Sequence, residues 1–152
     1  MNLSKLGNKR VVTVTKDMAL EEAARLMREY HVGDVVVVEK RGEWKVPIGM
    51  LTDRDIVMAT TAFGVSPTKL AAGDLMTTNI VTAKEHDSLT HVIKLMKEHG
   101  VKRVPLVGTQ HEVVGIVALD DVMALLASEL SALAEVGKKQ TQVESQRRVK
   151  FA

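Results

Sequence analysis

At 152 residues the chain is long enough for one ordinary domain, or for two small ones sharing a core. Hydrophobic residues make up 45% and charged residues 26%, which excludes a disordered chain, while 3% aromatics and a net charge of +2 argue against nucleic-acid binding by the whole surface. The lack of cysteine excludes disulfides, thiolate metal sites and a cysteine nucleophile; no apolar run approaches the roughly 18 residues of a membrane span and no signal-peptide core follows Met1, so a cytoplasmic protein is expected.

In chain order, Arg10 to Thr13 lead into a first strand. Leu20, Ala23, Ala24 and Met27 then fall at i, i+3, i+4 and i+7, which predicts a helix with one apolar face, and Asp17 lies where a carboxylate can cap its start. Val35-Val36-Val37-Val38 is β-branched throughout and suits a strand buried on both faces of a mostly parallel sheet. Lys40-Arg41-Gly42-Glu43 reads as a turn, followed by Trp44, expected to cover the core edge. A third strand, Ile48 to Leu51, runs directly into a helix starting near Asp53. Phe63 to Thr68 reads as a break, and Leu70 to Met76 as a short helical turn.

The same order then recurs. Leu89, Val92, Ile93 and Met96 repeat the helical spacing behind Asp87, at an offset of 69 residues (89 − 20 = 69). Val104-Pro105-Leu106-Val107 answers the valine run, with Pro105 expected at the strand start or at an unpaired position. Gly108 to His111 answers the turn, and Val113 to Val117 the third strand. After Asp121 a helix is expected from Val122 to about Val136, stopped by Gly137. Two copies of one unit predict a pseudo-twofold object with a cleft between its halves, since a solenoid needs three or more units. The expected fold is therefore α/β (α+β). It comprises two βαββα repeats, small mostly parallel sheets packed on helices, and a long C-terminal helix. The expected boundaries are repeat 1 over 8–64, a linker over 65–79, repeat 2 with its helix over 80–136, and a flexible basic tail over 137–152.

Each copy closes on one pattern: Gly49-Met50-Leu51-Thr52-Asp53-Arg54-Asp55-Ile56, and Gly115-Ile116-Val117-Ala118-Leu119-Asp120-Asp121-Val122. A strand ending in a hydroxyl, then an acid in the first turn of a helix, places free N–H groups, a positive dipole end and a hydroxyl where a phosphate can sit. A carboxylate three residues on, Asp55 or Asp121, can accept from two vicinal ribose hydroxyls. The same acids can also serve only to stabilise the helix start.

With Val101 to Leu106 and Asp74-Leu75-Met76-Thr77, these closings make the chain resemble a tandem pair of cystathionine-β-synthase (CBS) domains, the Bateman module, over about residues 8 to 130. The resemblance implies an adenine nucleotide (AMP, ADP or ATP; less often S-adenosylmethionine or NAD) as a regulatory ligand, with no required cofactor. It implies that Asp55 and Asp121 hold ribose hydroxyls and Thr52 binds phosphate or ribose, that Lys102 and Arg103 face phosphates, and that the segments leading into each repeat line the adenine pockets. Those segments carry Arg10 and Val11 in one copy and Met76, Thr77 and Ile80 in the other; Arg54 and Val104 complete the candidate set. The resemblance further implies a disk-shaped homodimer, to which Leu125, Leu126, Leu130 and Leu133 are suited.

The two halves differ. Ala118 stands where Thr52 stands, and Gly33-Asp34 where Lys102-Arg103 stands, so an acid faces the phosphates in one copy. The family's usual lead-in before the first copy is replaced by Leu6 to Arg10. One competent site, around Asp55, is expected. The five histidines lack metal-ligand spacing, and no Gly-x-Ser-x-Gly elbow or phosphate loop is present, so no catalysis is expected. The alternative function is a ligand-free dimerisation scaffold whose basic tail, Lys138-Lys139 to Arg147-Arg148-Val149-Lys150, holds a regulated partner.

Overall fold

The computed structural model describes residues 3–149. It divides into two units, one running through Val117 and the other starting at Ala118.

The first unit carries both copies of the repeat. It opens on a one-turn helix, α1 (Leu3–Leu6), then β1 (Thr13–Thr15), α2 (Leu20–Tyr30), β2 (Asp34–Arg41) and β3 (Trp44–Thr52). Helix α3 (Asp53–Val57) loosens at once into a π-helical turn over Met58–Ala62. The second copy begins with α4 (Ala72–Leu75), followed by β4 (Ala83–Lys84), α5 (Leu89–His99), β5 (Arg103–Val107) and β6 (Val113–Ala118). The strands form two three-stranded sheets, ordered β1-β2-β3 and β4-β5-β6.

The apolar face read from Leu20, Ala23 and Met27 is buried against Val14, Val35, Val37, Leu51 and Ile56. Val35, Val36 and Val37 are each at most 1% exposed, as a strand covered on both faces requires. Each sheet is mixed rather than mostly parallel. β1 pairs with β2 in parallel over three residues, whereas β2 and β3 form an antiparallel hairpin from Asp34↔Thr52 to Arg41↔Trp44. The connection from β5 to β6, closed by the Gly108 N–H on the Glu112 carbonyl (2.9 Å), is short enough only for antiparallel pairing.

Four local expectations need correction. Asp17 and Asp87 are not N-caps: Ala19 takes that place without a side-chain bond, and Ser88 Oγ accepts from the His91 N–H, while Asp87 accepts from the Lys84 N–H. Pro105 is the third residue of β5, not its start. Strand β3 begins at Trp44 rather than Ile48, because a register shift between Val37 and Val38 lets Pro47 into the ladder. Trp44 is 45% exposed and does not cover the core.

The 69-residue offset is a structural equivalence. Helices α2 and α5 end alike: Val32 N–H reaches the Met27 carbonyl and Val101 N–H the Met96 carbonyl, around a left-handed residue that is His31 in one copy and Gly100 in the other. Helix α1 lies 69 residues before α4 (72 − 3 = 69), and their first residues, Leu3 and Ala72, are both buried. The replaced lead-in is thus present in form although its sequence differs.

The second unit is a single helix after Ala118, α6 (Leu119–Val149). It runs straight through Gly137, where the sequence predicted a stop. The basic segment lacks apolar periodicity, but Lys, Gln, Glu and Arg are good helix formers and Gln140 bonds Glu144 one turn on (3.1 Å). The expected flexible tail is therefore helical through Val149, and Lys150 lies outside the described residues.

Candidate functional site

The β3–α3 junction is built by a reciprocal cap. Thr52 Oγ1 accepts from the Asp55 N–H (3.1 Å), and Asp55 Oδ2 accepts from the Thr52 N–H (3.0 Å). Thr52 and Asp55 are thus pinned at the end of the buried strand that contains Leu51. The box engages Oδ2 and a hydroxyl lone pair; Asp55 Oδ1 and the Thr52 hydroxyl proton lie outside it. Arg54, between them, is exposed, and its N–H bonds Asp53 Oδ1 (2.8 Å).

The lead-in of the second copy lies on this strand. Thr77 donates its N–H to the Met50 carbonyl (2.8 Å), and Met50 returns its N–H to the Thr77 carbonyl (3.3 Å). Gly49 permits the approach: a Cβ there would stand 2.7 Å from Met76 Sδ and 2.8 Å from the Thr77 carbonyl oxygen. The converse contact also forms, since Asn8 and Ile116 exchange N–H···O bonds of 2.9 and 3.1 Å. Each lead-in therefore extends the sheet of the other copy. Ile80 and Val11 are half-buried at matching places, and Arg10 is exposed with its N–H on Asn8 Oδ1.

The two cationic candidates fare differently. Lys102 is exposed. Arg103 is not free: its Nε donates to Asp34 Oδ2. The Asp34 side chain is only 16% exposed and that of Arg103 38%. Asp34 sits opposite Thr52 in the hairpin, and the neighbouring Gly33 carbonyl accepts the Asp53 N–H (2.9 Å). Burial pushes the Asp34 carboxyl above its ordinary value; the Arg103 charge and hydrogen bond offset this in part, and the Asp53 charge adds to it. The sequence placed an acid where its twin had a cation and expected that acid to face phosphate. The structure corrects this, for the two equivalents face each other. Asp34 and Asp53 were not among the sequence candidates. The available signal was opposite charge at equivalent positions, which a pseudo-twofold axis can bring together.

Val104 is fully buried in β5 and serves the core. Asp121 stands exposed in the first turn of α6. Among the described residues, no helix is long and apolar enough to cross a membrane.

Two sheets of one design, each extended by the other's lead-in, are matched by the family comparison. The CBS domain family matches residues 3–61 and again 72–128. The chain belongs to the CBS domain family. It is 40% identical over 122 residues to the CBS domain-containing protein YhcV of Bacillus subtilis, covering 80% of this chain and 83% of that one. It resembles the crystal structure of Hypoxic Response Protein I with two coordinated zinc ions (TM-score 0.70, 32% identity, 82% of this chain and 98% of that). It also resembles the CBS domain pair of protein MJ0100 in complex with 5′-methylthioadenosine and S-adenosyl-L-methionine (TM-score 0.73, 25% identity, 85% and 98%). CBS pairs are regulatory modules, and both matched segments of this chain have the CBS fold.

Proposed function

We propose that this CBS pair is a non-catalytic sensor that binds an adenine nucleotide, AMP, ADP or ATP, beside the β3–α3 junction, and acts as a cytoplasmic homodimer on a regulated partner. The observation that carries the reading is the pinned pair Thr52 and Asp55, with Met76 and Thr77 held against the same strand at Met50. Asp55 Oδ1 is available to ribose hydroxyls, and the Thr52 hydroxyl proton to a phosphate or ribose oxygen. Ile80 and Val11 supply half-buried apolar surface for a base. The MJ0100 pair was crystallised with two adenosyl compounds, which share the adenosine half of the proposed ligand; S-adenosylmethionine and NAD rank behind the nucleotides.

The test is thermal unfolding with AMP, ADP, ATP, NAD, S-adenosylmethionine and GTP. A ligand at 100 times its Kd stabilises by about 2.7 kcal/mol, several degrees for a chain of this size. Asp55→Ala also removes half of a cap, so its shift is read against its own ligand-free melting point. Loss of that shift supports the site. No shift with any ligand in the unsubstituted protein rejects the sensor reading. The scaffold reading would then stand, resting on the exposed apolar residues of α6, among them Leu126, Leu130 and Leu133.

A further inference from the structure

We propose that Asp34 is a specificity-determining residue for ligand charge: it holds Arg103 as an internal counter-anion, so a phosphate gains Arg103 only by displacing it. The inference rests on the adenosyl-site reading above and goes further, since it assigns the discrimination among adenosyl ligands to a residue outside the ribose-binding pair.

The argument is one of exchange. In the ligand-free protein the Arg103 guanidinium is already bonded to Asp34, whose side chain is only 16% exposed. A phosphate that takes Arg103 leaves behind a half-buried carboxylate without its partner, and breaking a poorly solvated ion pair strands the charge that remains. The stranded carboxylate also lies beside Asp53, close enough that each raises the cost of the other's charge. Solvent screening relieves little of this, because Asp34 is largely covered. A neutral adenosine makes no demand on Arg103 and breaks nothing. Each added phosphate brings further negative charge towards Asp34 and Asp53, so the obstacle grows from adenosine through AMP to ATP. Removing the Asp34 charge frees Arg103 while leaving Thr52 and Asp55 untouched.

The experiment is calorimetric titration of the full chain with adenosine, AMP and ATP at fixed ionic strength. The proteins are the unsubstituted chain, Asp34→Asn, Asp34→Ser, Arg103→Gln and the Asp34→Asn/Arg103→Gln double variant, each checked for folding by circular dichroism. The expected result is that Asp34→Asn tightens ATP by about tenfold or more and adenosine by less than about twofold. AMP falls between. In the Arg103→Gln background the ATP gain shrinks by about threefold or more, the coupling expected of a contacting pair. Asp34→Ser repeats the result if the asparagine variant fails to fold. Equal changes for adenosine and ATP, or a full ATP gain without Arg103, overturn the proposal while leaving the adenosyl site standing. Absence of binding by all three ligands to every protein rejects the site reading itself, and this inference with it.

Discussion

Asp34 and Arg103 occupy the same place in the two repeats, 69 residues apart (103 − 34 = 69), and are bonded to each other. A repeat that had kept identical residues there would set like charges face to face. Divergence to opposite charge converts the contact into an attraction between the halves. The attraction is incomplete, because burial outweighs it at the carboxyl.

That imbalance predicts a pH dependence. The folded chain holds the Asp34 proton more tightly than the unfolded chain, whose carboxyl titrates near the ordinary 3.8. Below that value both states are protonated and the contribution to stability is fully present. As pH rises from 3.8 through the higher folded-state value, the unfolded chain ionises first and the contribution is lost. Urea unfolding of the unsubstituted protein and Asp34→Asn between pH 3 and 7 should show their stability difference moving against the unsubstituted protein as pH rises. A difference moving the other way would mean that Arg103 dominates burial.

The two closing glycines should differ in tolerance. A Cβ at Gly49 would press on the Thr77 carbonyl oxygen at 2.8 Å, whereas at Gly115 the nearest atom, the Asn8 carbonyl oxygen, is 3.5 Å away, an ordinary contact. Gly49→Ala should destabilise by about 1–3 kcal/mol and speed amide exchange at Thr77. Gly115→Ala should melt within about 1 °C of the parent, since surface-like changes without a clash cost little.

His31 carries a left-handed backbone (φ 53) where its twin is Gly100 (φ 64). A side chain in that region costs about 1 kcal/mol, partly offset by the entropy of a glycine in the unfolded chain. His31→Gly should therefore raise the melting temperature by about 2–4 °C. Calorimetry reads this directly, and a drop would show that the imidazole makes a compensating contact.

Removal of the cap hydroxyl separates local stability from ligand binding. Thr52→Ala should cost about 1 kcal/mol, and Thr52→Ser much less, because only the alanine lacks an acceptor for the Asp55 N–H. Chemical denaturation of both variants, without ligand, provides the comparison.

The proposed homodimer has its own check. Leu130 and Leu133 on α6 are each 69% exposed, with Met123 and Leu126 at matching three- and four-residue spacings. Leu130→Glu/Leu133→Glu should shift sedimentation from a dimer to a monomer without loss of helix by circular dichroism. An unchanged mass in both proteins would discard this face as the contact.

The periodicity of Leu20 to Met27 and its twin, the valine run, and the break after Phe63 were legible because each follows from burial on one or two faces. Thr52 and Asp55 were legible as a pair because their spacing is that of a capping box. Less accessible was anything decided between the copies. Leu3 to Leu6 resembles α4 only in backbone, with Lys5 where Asp74 caps Ala71, so its equivalence was hidden by side chains that do different local work. Gly137 was read as a stop because glycine favours helix ends, yet its helix-forming neighbours override that preference of about 1 kcal/mol. The Asp34–Arg103 bond needed the twofold relation to be applied to pairs of residues rather than to each copy in turn.

The crossed lead-ins also set an order of assembly. Met50 and Thr77 are 27 residues apart (77 − 50 = 27), and Asn8 and Ile116 are 108 apart (116 − 8 = 108). Closing the fourfold longer loop costs about 1.2 kcal/mol more in chain entropy, at roughly 0.6 for each doubling. The first sheet can thus be completed by chain that follows it closely. The second must wait for the oldest part of the polypeptide to find it, so the Asn8 clasp is the last to form and the first to let go.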